Sequence, residues 1–291
     1  MHKRKNENRV FSIINTVLLV TFALIIVVPI WNILVSSVSG DSGLGSSGLV
    51  LIPKNFTLEN YRKVLADDSI PRALMISVLK TVIGAFTHVA FCAMVAYALS
   101  KRHLAGRSIY ATMGVITMYF SGGMIPTYLL IRSLGLLDSF WVYIIPALFS
   151  YYDVIILMNF FRDVPVSLEE SAKIDGASEF MIFRKIYLPL SKPALATILL
   201  FNGVSQWNDF MTTKLYITNE KLYPLQMKIY EIVVQSNMSA MNSGSTDVVF
   251  EATTRGVQLA TIVITTLPIL IIYPLLQKHF IGGMMAGAVK E

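Results

Sequence analysis

Two sets of residues carry the chemistry this sequence offers. The first lies in VPVSLEESAKIDGASEFMIFRKIYLPLSKP, residues 164–193. Ser167 with Glu170 three positions on reads as a capping box that opens a short helix. Glu169 and Glu170 place carboxylates in its first turn, where the helix dipole favours them. Gly176 suits a left-handed C-terminal position just after Asp175, so the chain turns there. Ser178 then caps a second helix that runs through Phe180, Phe183 and Ile186 to Leu188 and Pro189. Such a hairpin displays Glu170, Ser171 and Ala172 to a basic or hydrogen-bonding partner, or is only an amphipathic surface hairpin. The second set is Asn202, Gln206 and Asp209, spaced i, i+4 and i+7 on one helical face, with Trp207 and Asn208 beside them. His88 and Asp153 add two ionisable groups inside apolar runs. Polar residues in such runs face protein or water. They either line a path for a polar solute or bond helix to helix, at about 0.6 kcal/mol per contact.

These residues have to be positioned by a membrane protein. Of 291 residues, 54% are hydrophobic and 14% charged, against roughly 25% charged in soluble domains. Apolar runs long enough to cross about 30 Å of hydrocarbon recur from end to end. The expected fold is all-α with six transmembrane helices. A tail (1–10) leads to a first span (11–35), too long and without a cleavage site for a removable signal, with Trp31 as an interfacial anchor. An external loop (36–71) follows, in which Thr57 caps a short helix leading toward Leu65. The core, 72–277, holds spans at 72–100, 108–131, 140–161 and 193–213 and a sixth from 256. Gly122, Gly123 and Pro126 interrupt the third. Polar loops occupy 162–192 and 214–255, and a tail covers 278–291.

Basic residues cluster at Lys3 to Arg9, Lys101 to Arg107, Arg162 to Lys192, and Lys278 with Lys290. All fall on the side of the N-terminus, so the positive-inside rule makes both termini and the loop 162–192 cytoplasmic. Topology therefore accounts for the net charge of +6, and no nucleic acid is implied. Cys92, the only cysteine, sits in an apolar run as packing, so no intrachain disulfide forms. Four scattered histidines, with no HExxH pair or GxSxG elbow, exclude the familiar hydrolytic sites and suggest no metal. No GxxxxGK[ST] loop is present to cradle ATP.

Glu170-Ser171-Ala172, three residues, Gly176, nine residues, then Ile186-x-Leu188-Pro189 resembles the EAA motif of ABC importer permeases, with serine in place of the first alanine. FSGGMIPTYLL, WNDFMTTKLYITNEKLYPLQ and FIGGMMAGAVK extend the resemblance along nearly the whole chain, toward the maltose-type carbohydrate permeases of the aldouronate and lipoprotein-associated branch. The resemblance implies a bacterial inner-membrane permease that supplies half of a sugar pathway and binds no cofactor. ATP and Mg belong to two separate ATPase subunits, docked at Glu169, Glu170, Ser171, Ala172, Asp175, Gly176, Ile186, Leu188 and Pro189. A second, different permease and an extracellular solute-binding protein complete the assembly. The loop 214–255, with a flexible tip at 239–246, would reach that binding protein. A sugar needs donors, acceptors and an aromatic platform, which Asn202, Gln206, Trp207, Asn208, Asp209, Asp153 and His88 could supply. Lys80 and Arg132 would attract an acidic sugar or simply snorkel. An ABC permease for another solute and an ion-coupled transporter using Asp153 and His88 remain the alternatives.

Overall fold

The computed structural model describes residues 2–40, 49–66, 68–242, 255–268 and 270–271, and every regular element among them is helical apart from one isolated bridge, Ser39 to Phe56. The chain divides into two compact units, 1–68 with 231–267 and 69–230 with 268–291.

In the first unit, α1 (His2–Ser37) joins the expected tail and first span in one helix. Its apolar stretch from Phe11 to Val27 leaves its side chains exposed, as a helix meant for lipid must, while Val35, Ser36 and Ser37 at its end are buried. Past its end, the Asn60 amide donates to the carbonyls of Ser37 and Ser39 at 3.1 and 3.3 Å. The Thr57 hydroxyl accepts from the Glu59 amide at 3.1 Å and starts α2 (Glu59–Ala66), as the sequence led us to expect.

In the second unit, α3 (Ser69–Ser100) is the central post. Small buried residues along it, Ala73, Ser77, Gly84, Ala85, Ala93 and Ala96, let neighbouring helices approach closely. It packs most closely against α6 (Tyr151–Arg162) and α10 (Lys192–Asn208). Gly84 lets Gln206 of α10 lie close, since a Cβ there would stand 3.0 Å from the Gln206 amide nitrogen and the Gln206 side chain would have to shift. Cys92, Ala96, Val154, Leu157, Phe161 and Ile198 form the core among these three helices, which gives Cys92 its packing role.

The expected single spans break up. The third becomes α4 (Arg107–Tyr119) and α5 (Met124–Ser133), bent by 116° at the residues around Gly122 and Gly123. The fourth is helical only over α6; before it come a 3-10 turn (Phe140–Tyr143) and irregular chain containing Pro146. Ser150 caps α6 through the Asp153 amide at 3.4 Å, so the helix starts eleven residues later than expected, and its 12 residues rise only about 18 Å. The fifth divides into α10 and, after a break at Asp209, α11 (Met211–Tyr216). The loop 214–255 holds a long helix, α12 (Leu225–Asn242). That helix contains the first half of the expected flexible tip; residues 243–254 lie outside the described set, as does the tail 278–291. Residues 255–268 are helical.

Candidate functional site

Two assemblies occupy opposite ends of α3. At its C-terminal end, α7 (Val166–Ile174) and α8 (Glu179–Ile182) flank Gly176. Gly176 has φ +78°, which glycine alone adopts freely. Its amide donates to the Lys173 carbonyl and the Ala177 amide to the Ala172 carbonyl, a complete Schellman termination. Ser178 caps α8 through the Met181 amide, as expected. Ser167 does not cap α7: Pro165 takes that position, its carbonyl receiving the Leu168 amide, because its ring presets the φ of −58° that starts the turn one residue before Val166. Beyond α8 a π-helical turn (Phe183–Tyr187) leads into α9 (Leu188–Leu190).

Adjacent glutamates in α7 part company. Glu169 points inward, where its carboxylate pairs with the Lys101 ammonium at 2.7 Å and accepts hydrogen bonds from Lys173 at 2.7 Å and the Tyr187 hydroxyl at 2.5 Å. Burial works to raise its pKa, but those three groups outweigh burial and hold it down at about 2. Glu179 receives the Tyr97 hydroxyl at 2.6 Å, with Lys173 at 3.0 Å and Lys101 at 3.3 Å, and is likewise lowered, the Tyr97 hydrogen bond foremost. The Lys101 ammonium also lies 4.1 Å from the Tyr97 ring centre. Glu170, Ser171 and Asp175 face outward, beside Ile174 and Phe180, which are 87% and 66% exposed. Ala172, Ile186 and Leu188 turn inward against the core, and Pro189 is exposed. The motif thus has an anchored side and a displayed side.

Toward the other end of α3, the Lys80 ammonium is fully buried and donates to Asp209 twice, at 2.7 Å to its carboxylate and 2.8 Å to its carbonyl. It sits 4.5 Å from the Tyr143 ring centre. Tyr143 joins Thr213 at 2.9 Å and the Leu222 carbonyl at 3.0 Å. A cavity of about 300 Å³ opens beside this pair, lined by Tyr143, Ser205, Gln206, Asp209, Thr212 and Tyr216 among others. Tyr216 stacks on Tyr128 at its edge.

With both arrangements in view, the match to known proteins can be read. Residues 2–286 match the family described as binding-protein-dependent transport system inner membrane component. The chain belongs to that family. It is a multi-pass permease, a transport subunit and not an enzyme. It is 43% identical to the polygalacturonan/rhamnogalacturonan transport system permease protein YtcP of Bacillus subtilis, over 98% of this chain and 99% of that one. Protein LplC of the same organism is 42% identical over 100% of this chain and 98% of its own length. Among solved structures, a bacterial ABC transporter involved in the import of the acidic polysaccharide alginate superposes with a TM-score of 0.85 at 33% identity, covering 94% of the permease and 98% of that chain.

The permease's candidate path residues fall into separate groups. Gln206 and Asp209 line the cavity, but Asp209 lies past the end of α10, so it is off the helical face assigned to it. Gln206 also donates to the Tyr143 carbonyl at 3.2 Å. Asn208 bonds back to the Val204 carbonyl of its own helix, and Trp207 is buried instead of presenting a platform. Asn202 is half-buried, its side-chain oxygen without a hydrogen bond among the described residues. His88, for which the sequence names no partner, meets the Ala147 carbonyl at 2.7 Å, Asp153 at 2.9 Å and the Cys92 sulfur at 3.6 Å. A carbonyl only accepts, so Nδ1 carries a proton and Nε2 shares another with Asp153. Lys80 neither attracts solute nor snorkels, being fully buried on Asp209. Tyr143, Tyr216, Tyr97, Lys101 and Tyr187 were missed. Only Lys101 carried a signal, as a basic residue at the end of an apolar run, and it was read as topology.

Proposed function

We propose that this permease forms half of the translocation path of an importer for oligosaccharides and is driven through the hairpin at 166–190. Six spans with both termini cytoplasmic, α4 with α5 counting as one broken span, would place that hairpin on the cytoplasmic face. The observation that carries the reading is the division of the hairpin. Glu169 fastens it to Lys101 at the end of α3, while Glu170, Ile174 and Phe180 stand exposed. A docked ATPase subunit would meet the displayed side, and its movement would pass through the anchored side to α3 and so to α6 and α10, as a rocking of packed helices. ATP and Mg would bind two such ATPase subunits and not this chain; a second, different permease and an extracellular binding protein would complete the assembly, the latter met by the 214–255 segment.

The cargo class comes from relatives whose names give polygalacturonan, rhamnogalacturonan and alginate. The cavity supports hydroxyl recognition: Tyr143, Ser205, Gln206, Thr212 and Tyr216 supply donors, acceptors and aromatic faces. Its lining holds no cation among the described residues, because Lys80 is consumed by Asp209. An acidic sugar would therefore have its charge met outside this cavity.

The test is the importer reconstituted with its binding protein in liposomes and assayed with an oligosaccharide panel. Uptake and sugar-stimulated ATP hydrolysis should both fall in Glu170→Ala and Gly176→Pro, and uptake alone should weaken in Gln206→Ala. Intact transport in the first two variants would remove the hairpin from the drive.

A further inference from the structure

Beside the anchored face of the hairpin lies a pocket of about 400 Å³ that transport does not explain. Its walls come from the turn after α3, the start of α4, the end of α6 and α7. Lys101, Arg102, Arg107, Arg162 and Lys173 line it, with His103, against only two carboxylates, Glu169 and Glu170. Glu169 is already held by Lys101 and Lys173. None of the ion pairs among the described residues includes Arg102, Arg107 or Arg162. Arg107 gives one hydrogen bond, to the Leu99 carbonyl at 2.9 Å, and Arg162 one, to the Met158 sulfur at 3.1 Å. A guanidinium has five N–H donors, so most of theirs stay open to the pocket. Partial burial and then the neighbouring Arg107 charge lower the Arg162 pKa. Both effects raise the energy of that cation, and an anion between the two arginines would relieve them.

We infer that this pocket binds a phosphate-bearing anion, with the headgroup of an anionic phospholipid as its source. The helix ends that form it, Ser100, Arg107 and Arg162, share one level at the membrane surface in the orientation proposed above. Basic pockets between helices at that level suit anionic headgroups. Arginine forks match phosphate oxygens in pairs, which a point-charge lysine does not. The occupant would tie the turn after α3 to the end of α6 next to the drive joint.

The leaflet rests on the proposed orientation, whereas retention of the ligand does not, so the two fail separately. The experiment uses the assembled importer in detergent and native mass spectrometry. It follows the last lipid retained under collisional activation, with dioleoylphosphatidylglycerol, dioleoylphosphatidylcholine or inorganic phosphate added. Phosphatidylglycerol should be retained over phosphatidylcholine. Retention should fall roughly thirty-fold in Arg107→Gln with Arg162→Gln, at about a factor of five for each basic residue. It should fall less when both are lysine, which keep the charge and lose the paired donors, and be unchanged in Arg72→Gln, near the start of α3. Arg102→Gln, at an exposed residue without a hydrogen bond among the described residues, should lose roughly five-fold and stands in if the double variant does not fold. Displacement of the lipid by phosphate would show a free anion competing for the same site; no displacement would assign it to the headgroup. Equal retention of phosphatidylcholine, no loss in the glutamine variants, or loss of the lipid when the ATPase subunits join would overturn the inference, the last making the pocket part of the ATPase contact.

Discussion

One lysine lies within α3 and another just past its end, and their surroundings differ in kind. Lys80 is fully buried, faces a single carboxylate, and lies under the Tyr143 ring. Lys101, one residue past the end of α3, is 21% exposed and shared between Glu169 and Glu179, which Lys173 also contacts. From Lys80 to the end of α3 at Ser100 is about 30 Å of helix. A one-to-one pair in an apolar setting has a single low-energy arrangement, because separation leaves a charge unsolvated. Two lysines and two carboxylates near water can exchange partners at little cost. The same helix is thus riveted within its first half and jointed just past its C-terminal end, which suits a post that must keep its packing while its foot is moved.

Breaking the rivet gives the largest expected effect. Lys80→Met strands Asp209, 26% exposed at its side chain, and should lower stability by about 3 kcal/mol, the lower end of the range for breaking a buried pair. Thermal unfolding of the purified permease complex in detergent measures this. Lys80→Met with Asp209→Leu removes both charges and should recover most of the loss. Asp209 also accepts the Thr212 amide at 3.1 Å to begin α11, so a residual deficit of about 1 kcal/mol should remain. If the double variant is no better than the single one, the pair is not the source of the stability.

At the joint the effects are smaller and show elsewhere. Gly176→Ala meets no neighbouring atom within 4 Å, so its penalty is the left-handed backbone alone, about 1–2 kcal/mol, read as lost amide protection confined to α7 and α8. Lys101→Met should cost less stability than Lys80→Met, since Lys173 stays on both carboxylates. Yet it should sharply reduce the stimulation of ATP hydrolysis by loaded binding protein. A large stability loss with coupling intact would reverse the contrast between the two lysines.

What the sequence revealed follows the range of the forces involved. Thr57, Ser178 and Gly176 act within a few residues of themselves, and each does what its type and position imply. The Ser167 cap failed against a rule just as local, because Pro165 offered the better start. Pairings at a distance left no mark: Lys80 and Asp209 are 129 residues apart, and nothing near either names the other. Hydropathy treats Pro146, Ser150 and the glycines at 122 and 123 as interruptions in an apolar run, so three continuous spans were expected where the chain folds into shorter pieces. At Ala147 and Asp209 the polar groups of those breaks are met by α3, through His88 and Lys80, which single-span arithmetic does not see. His88 looked solitary for the same reason.

The smallest expected effect is that of pH on the joint. Glu169 is held at about 2 against an ordinary value of 4.5. A carboxylate whose folded pKa is depressed contributes stability that is complete above its unfolded pKa and is lost as pH falls toward the folded one. The window is therefore about pH 4.5 down to 2, and between pH 7 and 5 the Glu169 anchor should not change. Hydrogen exchange of the α7 amides, corrected for intrinsic rates, should show constant protection down to about pH 4.5 and a decline below it. Lys101→Met removes one of the groups that hold the value down, so the folded pKa moves toward 4.5 and the decline, starting at the same pH, should be smaller and finish at a higher pH. Protection already falling between pH 7 and 5 in the unmodified permease would mean that Lys101 and Lys173 do not grip Glu169, and the jointed foot of α3 would have to be sought at another contact.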